Sequence, residues 1–259
     1  MNTRKYHYNN STITIVFGNI LDSKADVIVS SDDTGISMAG GISGAICRAG
    51  GELIREDAQK KLPAQMGDVI VSTAGSLKHQ KYVFHCLSVD FENKYDYFEG
   101  RLSNTEDMNK YVLQHSVDKC FRLLQALDIH SIAFPCIGAG LAHIPLKQVA
   151  ENMADAISSN LCKTQKPYEI ELYLYESTGY DNKQQKMSEM DYIDMFENFA
   201  IKSALYQYEL VSGMKQSNDP PAQQSPLVAE IPKREDMSHQ VFISYSRKDI
   251  ESVNAIRDI

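Results

Sequence analysis

Short β-branched runs alternating with helical segments constrain this chain more than any other feature. TITIVF (12–17), ADVIVS (25–30), DVIVST (68–73), KYVFHCL (81–87), SIAFPCI (131–137) and YEIELYLYE (168–176) read as strands. ADVIVS is a continuous apolar run, as expected of a strand buried on both faces. Helical spacing runs from about Gly41 to Lys60, with Ala45, Ile46, Ala49 and Leu53 on one face. A long amphipathic helix is expected over 104–127, starting at Asn104 or Thr105. Its inner stripe is Val112, Val117, Cys120, Leu123, Leu124 and Leu127. Further helices are expected from about Leu146 to Asn160 and over 189–210. This alternation implies an α/β sheet with helices on both faces.

The chain has 259 residues, enough for one large domain or for one domain plus a fragment. A hydrophobic share of 43% supplies a core, and a net charge of -8 argues against general affinity for nucleic acid or an anionic membrane. No apolar run approaches the roughly 18 residues of a spanning helix. The polar start MNTRKYHYNN lacks the apolar stretch of a signal peptide, so the cytoplasm is expected. Cys47, Cys86, Cys120, Cys136 and Cys162 are odd in number and never spaced Cys-x-x-Cys. Buried free thiols are expected, with no metal site and no cofactor.

Composition changes at 212–238, which is rich in Pro, Ser, Gln and charge and reads as a linker. The last segment, 239–259, begins with an apolar strand and continues as a polar, helical stretch. A strand and a helix cannot bury a core of their own, so the opening piece of a second domain is expected there.

Two glycine loops follow strands: AGGISG (39–44) and GAGL (138–141). In open α/β sheets ligands collect at the carboxyl ends of strands, and glycine exposes backbone N–H groups to anions. One such loop is equally read as a tight turn. Two loops facing one crevice would grip a diphosphate from both sides, although spacing alone does not bring them together. Asp32 and Asp33, just before the first loop, read either as site residues or as a solvated strand end or cap. His85 reads as a core histidine bonded to backbone, and His143 as a loop histidine near the second glycine turn. Tyr95, Tyr97 and Phe98 read either as a cover for the crevice or as packing on the sheet.

From about Thr12 to Glu176 the chain resembles a macro domain, the ADP-ribose-binding α/β/α module. VFGNI resembles the family's opening Gly-Asp-Ile, and ADVIVSSDD its Asp-Ala-Ile-Val-Asn-Ala-Ala-Asn strand end. AGGISGAICRAGG, GDVIVSTAGSLKHQKYVFH and SIAFPCIGAGLAHIPL resemble the later family segments, in order. The resemblance implies a three-layer α/β/α fold with a mixed central sheet over residues 1–211, the core at 12–176. It implies that Asn19, beside Ile20, receives the adenine amino group in place of an aspartate. Ala39, Gly40, Gly41, Ile42 and Ser43 would line the diphosphate on one side. Gly138, Ala139, Gly140 and Leu141 would line it on the other, with His143 nearby. Asp33, with Asp32 beside it, stands where family hydrolases use an asparagine at the distal ribose. Asp33 is also the sole candidate catalytic residue. Ser43 stands where many of those hydrolases carry an aspartate, and a hydroxyl cannot serve there as a carboxylate base.

VFISYSRKD (241–249) resembles the opening strand and loop of a TIR domain, a family of assembly modules of which some cleave NAD. The resemblance implies a truncated TIR-like segment lacking the family's catalytic glutamate. The expected function is binding or sensing of ADP-ribose or a related NAD-derived nucleotide, regulating a fused TIR effector in a setting such as bacterial immune signalling. The expected partner is that small nucleotide, and homo-oligomers would form through a complete TIR domain. Two other readings stand beside it: an ADP-ribosyl or O-acyl-ADP-ribose hydrolase using Asp33, and an assembly scaffold with a vestigial pocket.

Overall fold

Val27–Asp33, named β3, forms the middle of the sheet because its β-branched side chains fill both faces. Every residue of it except Ser31 is buried. Val27 and Val29 enter one apolar cluster and Ile28 the other, the two-residue period of a strand. The computed structural model describes residues 2–90, 106–175 and 187–215. The linker and TIR-like assignments from 216 onward, and Tyr95, Tyr97 and Phe98, lie outside the described residues.

Among the described residues six further strands complete the sheet. They are β1 (Asn2–Tyr8), β2 (Ser11–Phe17), β4 (Val69–Thr73), β5 (Tyr82–Val89), β6 (Ser131–Pro135) and β7 (Glu169–Leu174). Their order is β1-β2-β7-β6-β3-β5-β4. The five inner strands run parallel and the edges β1 and β4 antiparallel, which is the mixed sheet expected from the resemblance. The helices are α1 (Gly41–Gly50), α2 (Leu53–Gln59), α3 (Glu106–Ala126), α4 (Leu146–Cys162) and α5 (Glu189–Lys215). Ile46 and Ile54 of α1 and α2 pack on Ile28, Val83 and Leu87. On the opposite face Val117, Met153 and Phe199, from α3, α4 and α5, pack on Val29, Phe84 and Phe134. Each such side chain contributes about 1.5–3 kcal/mol on full burial. No helix of the described residues is long and apolar enough to cross a membrane.

Four features depart from the sequence reading. The polar start pairs with β2 as a hairpin, with Asn9 at φ 50 in its turn. An edge strand open to solvent carries no apolar alternation, so the pattern missed it. The single helix expected over 41–60 is two, because Gly51 takes φ 89 and its N–H closes α1 onto the Cys47 carbonyl. Leu127 lies past the end of α3 and is 38% exposed, whereas Leu113 and Phe121 are buried on that helix. The closing helix continues as α5 through residues 212–215.

Strand order reverses at β3. One crossover from β3 leads, through β4, to β5 on one side, and α3 then carries the chain to β6 on the other. The carboxyl ends of β3, β5 and β6 therefore open onto one edge, the place where α/β sheets bind ligands.

Candidate functional site

At that edge a cleft of about 630 Å³, counting its open mouth, lies between the loops after β3 and β6. The first glycine loop forms one wall. Gly40 is the extended N-cap of α1, and Gly41 takes φ 55, a left-handed conformation that a side chain resists. A Cβ at either glycine would meet nothing within 4 Å, so the cleft approaches bare backbone there. The first helical bond recorded at this end joins the Gly44 N–H to the Gly40 carbonyl at 2.9 Å. The N–H groups of Gly41, Ile42 and Ser43 precede it and lack intrahelical partners, as at any helix start. They stand at the positive end of a ten-residue helix. Ala39, Gly40, Gly41, Ile42 and Ser43 all line the cleft.

The second glycine loop forms the facing wall through Cys136, Gly138, Gly140, Leu141 and Ala142. Gly138 takes φ 77, and a Cβ on it would lie 2.5 Å from Ile144 Cδ1. Its N–H donates to Ser31 Oγ at 3.2 Å, which anchors the loop to β3 and turns that donor from the cleft. Among the described residues no acceptor engages the N–H of Gly140 or Ala142. A Cβ at Gly140 would also meet open space. Burial pushes the Cys136 thiol up to about 12, so it stands as a neutral wall group rather than a nucleophile.

The acids do not stand as free carboxylates. Asp33 is 9% exposed, and its carboxylate is engaged by the loop that follows. Oδ1 accepts the Gly35 N–H at 2.9 Å, while Oδ2 accepts the Ser37 hydroxyl and, at 3.1 Å, the Ser37 N–H. The same Ser37 N–H lies 3.3 Å from Oδ1, so three donor groups hold the carboxylate. This clamp holds Ile36 at φ 49 and Met38 at φ 48, and the Gln59 amide of α2 donates to the Gly35 and Ile36 carbonyls. Left-handed φ at a β-branched residue is strained, and the clamp and Ile36's own burial sustain it.

Asp32 also lines the cleft, but its side chain is buried rather than solvated. Its Oδ2 lies 2.8 Å from His85 Nδ1, and His85 Nε2 lies 2.7 Å from Ser72 Oγ. His85 is the core histidine expected, but its ring is held by side chains on β3 and β4, not by backbone as the sequence reading had it. The Ser43 hydroxyl donates to the Gly40 carbonyl at 2.9 Å, closing the first turn of α1.

Four of the candidate positions, Asn19, Ile20, Ala139 and His143, stand off the cleft lining. Asn19 is exposed, and its side-chain oxygen accepts the Leu21 N–H at 3.0 Å, capping a short 3₁₀ turn, with Ile20 buried behind it. Ala139 packs against the core. His143 is exposed at φ 49 and closes a turn onto the Gly140 carbonyl. Conversely, Ser31, Ser37 and Ser88 line the cleft without having been nominated. Ser31 Oγ lies 2.9 Å from Ser88 Oγ. Strand period would have found Ser31. Ser88 reaches it through a bulge, since Asp32 pairs with Leu87 but Asp33 with Val89.

Among the described residues no lysine, arginine or histidine lines the cleft, and its unengaged backbone N–H groups belong to the two glycine loops. Residues 29–153 match the family model described as Macro domain. An uncharacterized protein of Pyrobaculum aerophilum is 33% identical over 149 residues, 56% of this chain and 74% of its own length. O-acetyl-ADP-ribose deacetylase 1 of Pantoea vagans is 27% identical over 173 residues, 65% of this chain and 94% of its own. The Oceanobacillus iheyensis macrodomain with ADP superposes with a TM-score of 0.58 at 21% identity, over 81% of this chain and 98% of that one. The Trypanosoma brucei macrodomain in complex with ADP-ribose gives 0.53 at 19%, over 72% and 67%. The solved structures share the fold, and the family model together with the Pyrobaculum relative places the chain in the macro-domain family.

Proposed function

We propose that the cleft holds ADP-ribose or a closely related NAD-derived nucleotide and that it senses this ligand rather than hydrolysing it. The observation that carries the reading is the pairing of unengaged N–H groups on both walls with the lack of a free carboxylate between them. Gly41, Ile42 and Ser43 would donate to one phosphate, and Gly140 and Ala142 to the other. A general base must reach a water in the cleft with an available lone pair. Ser43 offers a hydroxyl already bonded to Gly40, and the Asp33 oxygens are engaged by Gly35 and Ser37. Asn19 would offer its amide N–H, or a second lone pair, to the adenine edge. Residues 239–259 resemble the opening of a TIR domain, and ligand occupancy would regulate such a fused effector.

Hydrolysis is the second reading, favoured by the name of the Pantoea vagans relative. It requires Asp33 to leave the 33–37 loop and orient a water.

Calorimetric titration of the whole chain with ADP-ribose, followed by incubation with O-acetyl-ADP-ribose, separates the two. Saturable binding without turnover is expected. Absence of heat with ADP-ribose and related dinucleotides sinks the sensing reading, and turnover by the wild type that is lost in an Asp33→Ala variant still able to bind ADP-ribose establishes the hydrolytic one.

A further inference from the structure

Asp32 poses an electrostatic problem, since a carboxylate lines a cleft whose walls are arranged for an anion. Its side chain is fully buried, and Oδ1 has no hydrogen-bond partner among the described residues. It lies on the α1 face of β3, two residues beyond Ser30 and four beyond Ile28, which packs with Ile46 and Cys47 of that helix. An uncompensated charge there would oppose both burial and any phosphate at the start of α1.

We infer that His85 compensates Asp32, so that the Asp32–His85 pair presents no net charge to a diphosphate bound at the start of α1. This rests on the nucleotide-binding reading above. The hydrogen-bond geometry carries it. Ser72 Oγ lies 2.7 Å from His85 Nε2 and 3.1 Å from the Thr73 carbonyl, so a hydroxyl that donates to the carbonyl receives a proton from Nε2. His85 Nδ1 and Asp32 Oδ2 are 2.8 Å apart, a contact that is attractive only with a proton between them. Wherever that proton resides, the pair is neutral as a whole. His85 and Ser72 are fully or almost fully buried, and Ser72 is not part of the cleft lining. The three side chains therefore form a positioning and charge-compensating group and not a nucleophilic triad, despite the shared Ser-His-Asp composition.

The test uses the whole chain and three probes: ADP-ribose, inorganic pyrophosphate and uncharged adenosine. His85→Gln removes the group that shares a proton with Asp32 and leaves any charge on that carboxylate uncompensated. Affinity for ADP-ribose and pyrophosphate is expected to fall on the order of tenfold, for a unit charge about 10 Å from the phosphate at an effective dielectric near 20. Adenosine binding is unchanged, and the double variant Asp32→Asn with His85→Gln recovers the loss to within about twofold. Equal losses for adenosine, or no recovery in the double variant, overturn the inference. Should His85→Gln fail to fold, nitrogen NMR of the wild-type His85 ring decides. A protonated Nε2 with a second proton in the Nδ1–Oδ2 bond is expected, and a bare Nε2 beside a singly protonated Nδ1, which leaves the pair with a net negative charge, overturns it. A wild type that holds pyrophosphate but not ADP-ribose removes the nucleotide reading alone. A wild type that holds neither removes both.

Discussion

The Gly138 N–H donates to Ser31 Oγ across 3.2 Å, joining residues 107 positions apart in the chain. This bond fixes the second glycine loop against the central strand, and the contact of Ser31 with Ser88 extends it to β5. The wall of the cleft is therefore set by two hydroxyls that carry no catalytic signature.

Replacing Ser31 with alanine removes that anchor and leaves the Gly138 N–H without an acceptor. A neutral hydrogen bond contributes about 1 kcal/mol, so ADP-ribose affinity is expected to fall about fivefold through loss of loop order. Calorimetry on the variant, with a thermal melt to separate stability from binding, checks the outcome.

Gly140→Glu tests the cradle with little disturbance to the fold. The Cβ position meets nothing within 4 Å and φ lies outside the left-handed region. Stability should stay within about 0.5 kcal/mol of wild type. ADP-ribose binding should drop at least about tenfold, because a carboxylate and a longer side chain enter the diphosphate path. Retained affinity in a folded variant would place the ligand elsewhere.

Asp33→Ala removes the acceptor for Gly35 and Ser37 and releases the strain at Ile36 and Met38. The loss of this clamp is expected to destabilise the protein by about 2 kcal/mol in chemical denaturation. Faster proteolytic cleavage within residues 34–39 should accompany it. If Asp33 instead acted only on ligand, stability would be unchanged.

Acid sensitivity follows from Asp57, whose Oδ2 accepts the Thr73 N–H at 2.9 Å and the Lys61 ammonium at 3.1 Å. The Thr73 bond first, then Lys61, holds its carboxyl below the usual carboxylate range. A depressed folded value means the contribution is present above the unfolded value, about 3.9, and is lost as pH falls through the lower folded one. Asp57→Asn should therefore flatten the acid limb of a stability–pH curve below about pH 4 and leave its slope near pH 7 unchanged.

Much of the scaffold was legible because its signals are local. The run Val27–Asp33 announces a strand buried on both faces, and the three- and four-residue spacing of Val117, Cys120 and Leu124 announces α3. Glycines at 40, 41, 138 and 140 mark the loops that now face each other across one cleft. Hidden from that reading were β1, whose solvent-facing edge has no apolar rhythm, and Ser88, whose place depends on a bulge relative to β3.

The amino-acid sequence by itself determined the alternation of strands and helices, the two glycine loops and the family resemblance, since each is written in neighbouring residues. Tertiary structure decided what the acids do. Asp33 is drawn into its own loop and Asp32 into a buried contact with His85, 53 residues away. Adjacent carboxylates on a strand point to opposite faces, so the partner of each is chosen by strand order and packing, which no local pattern records.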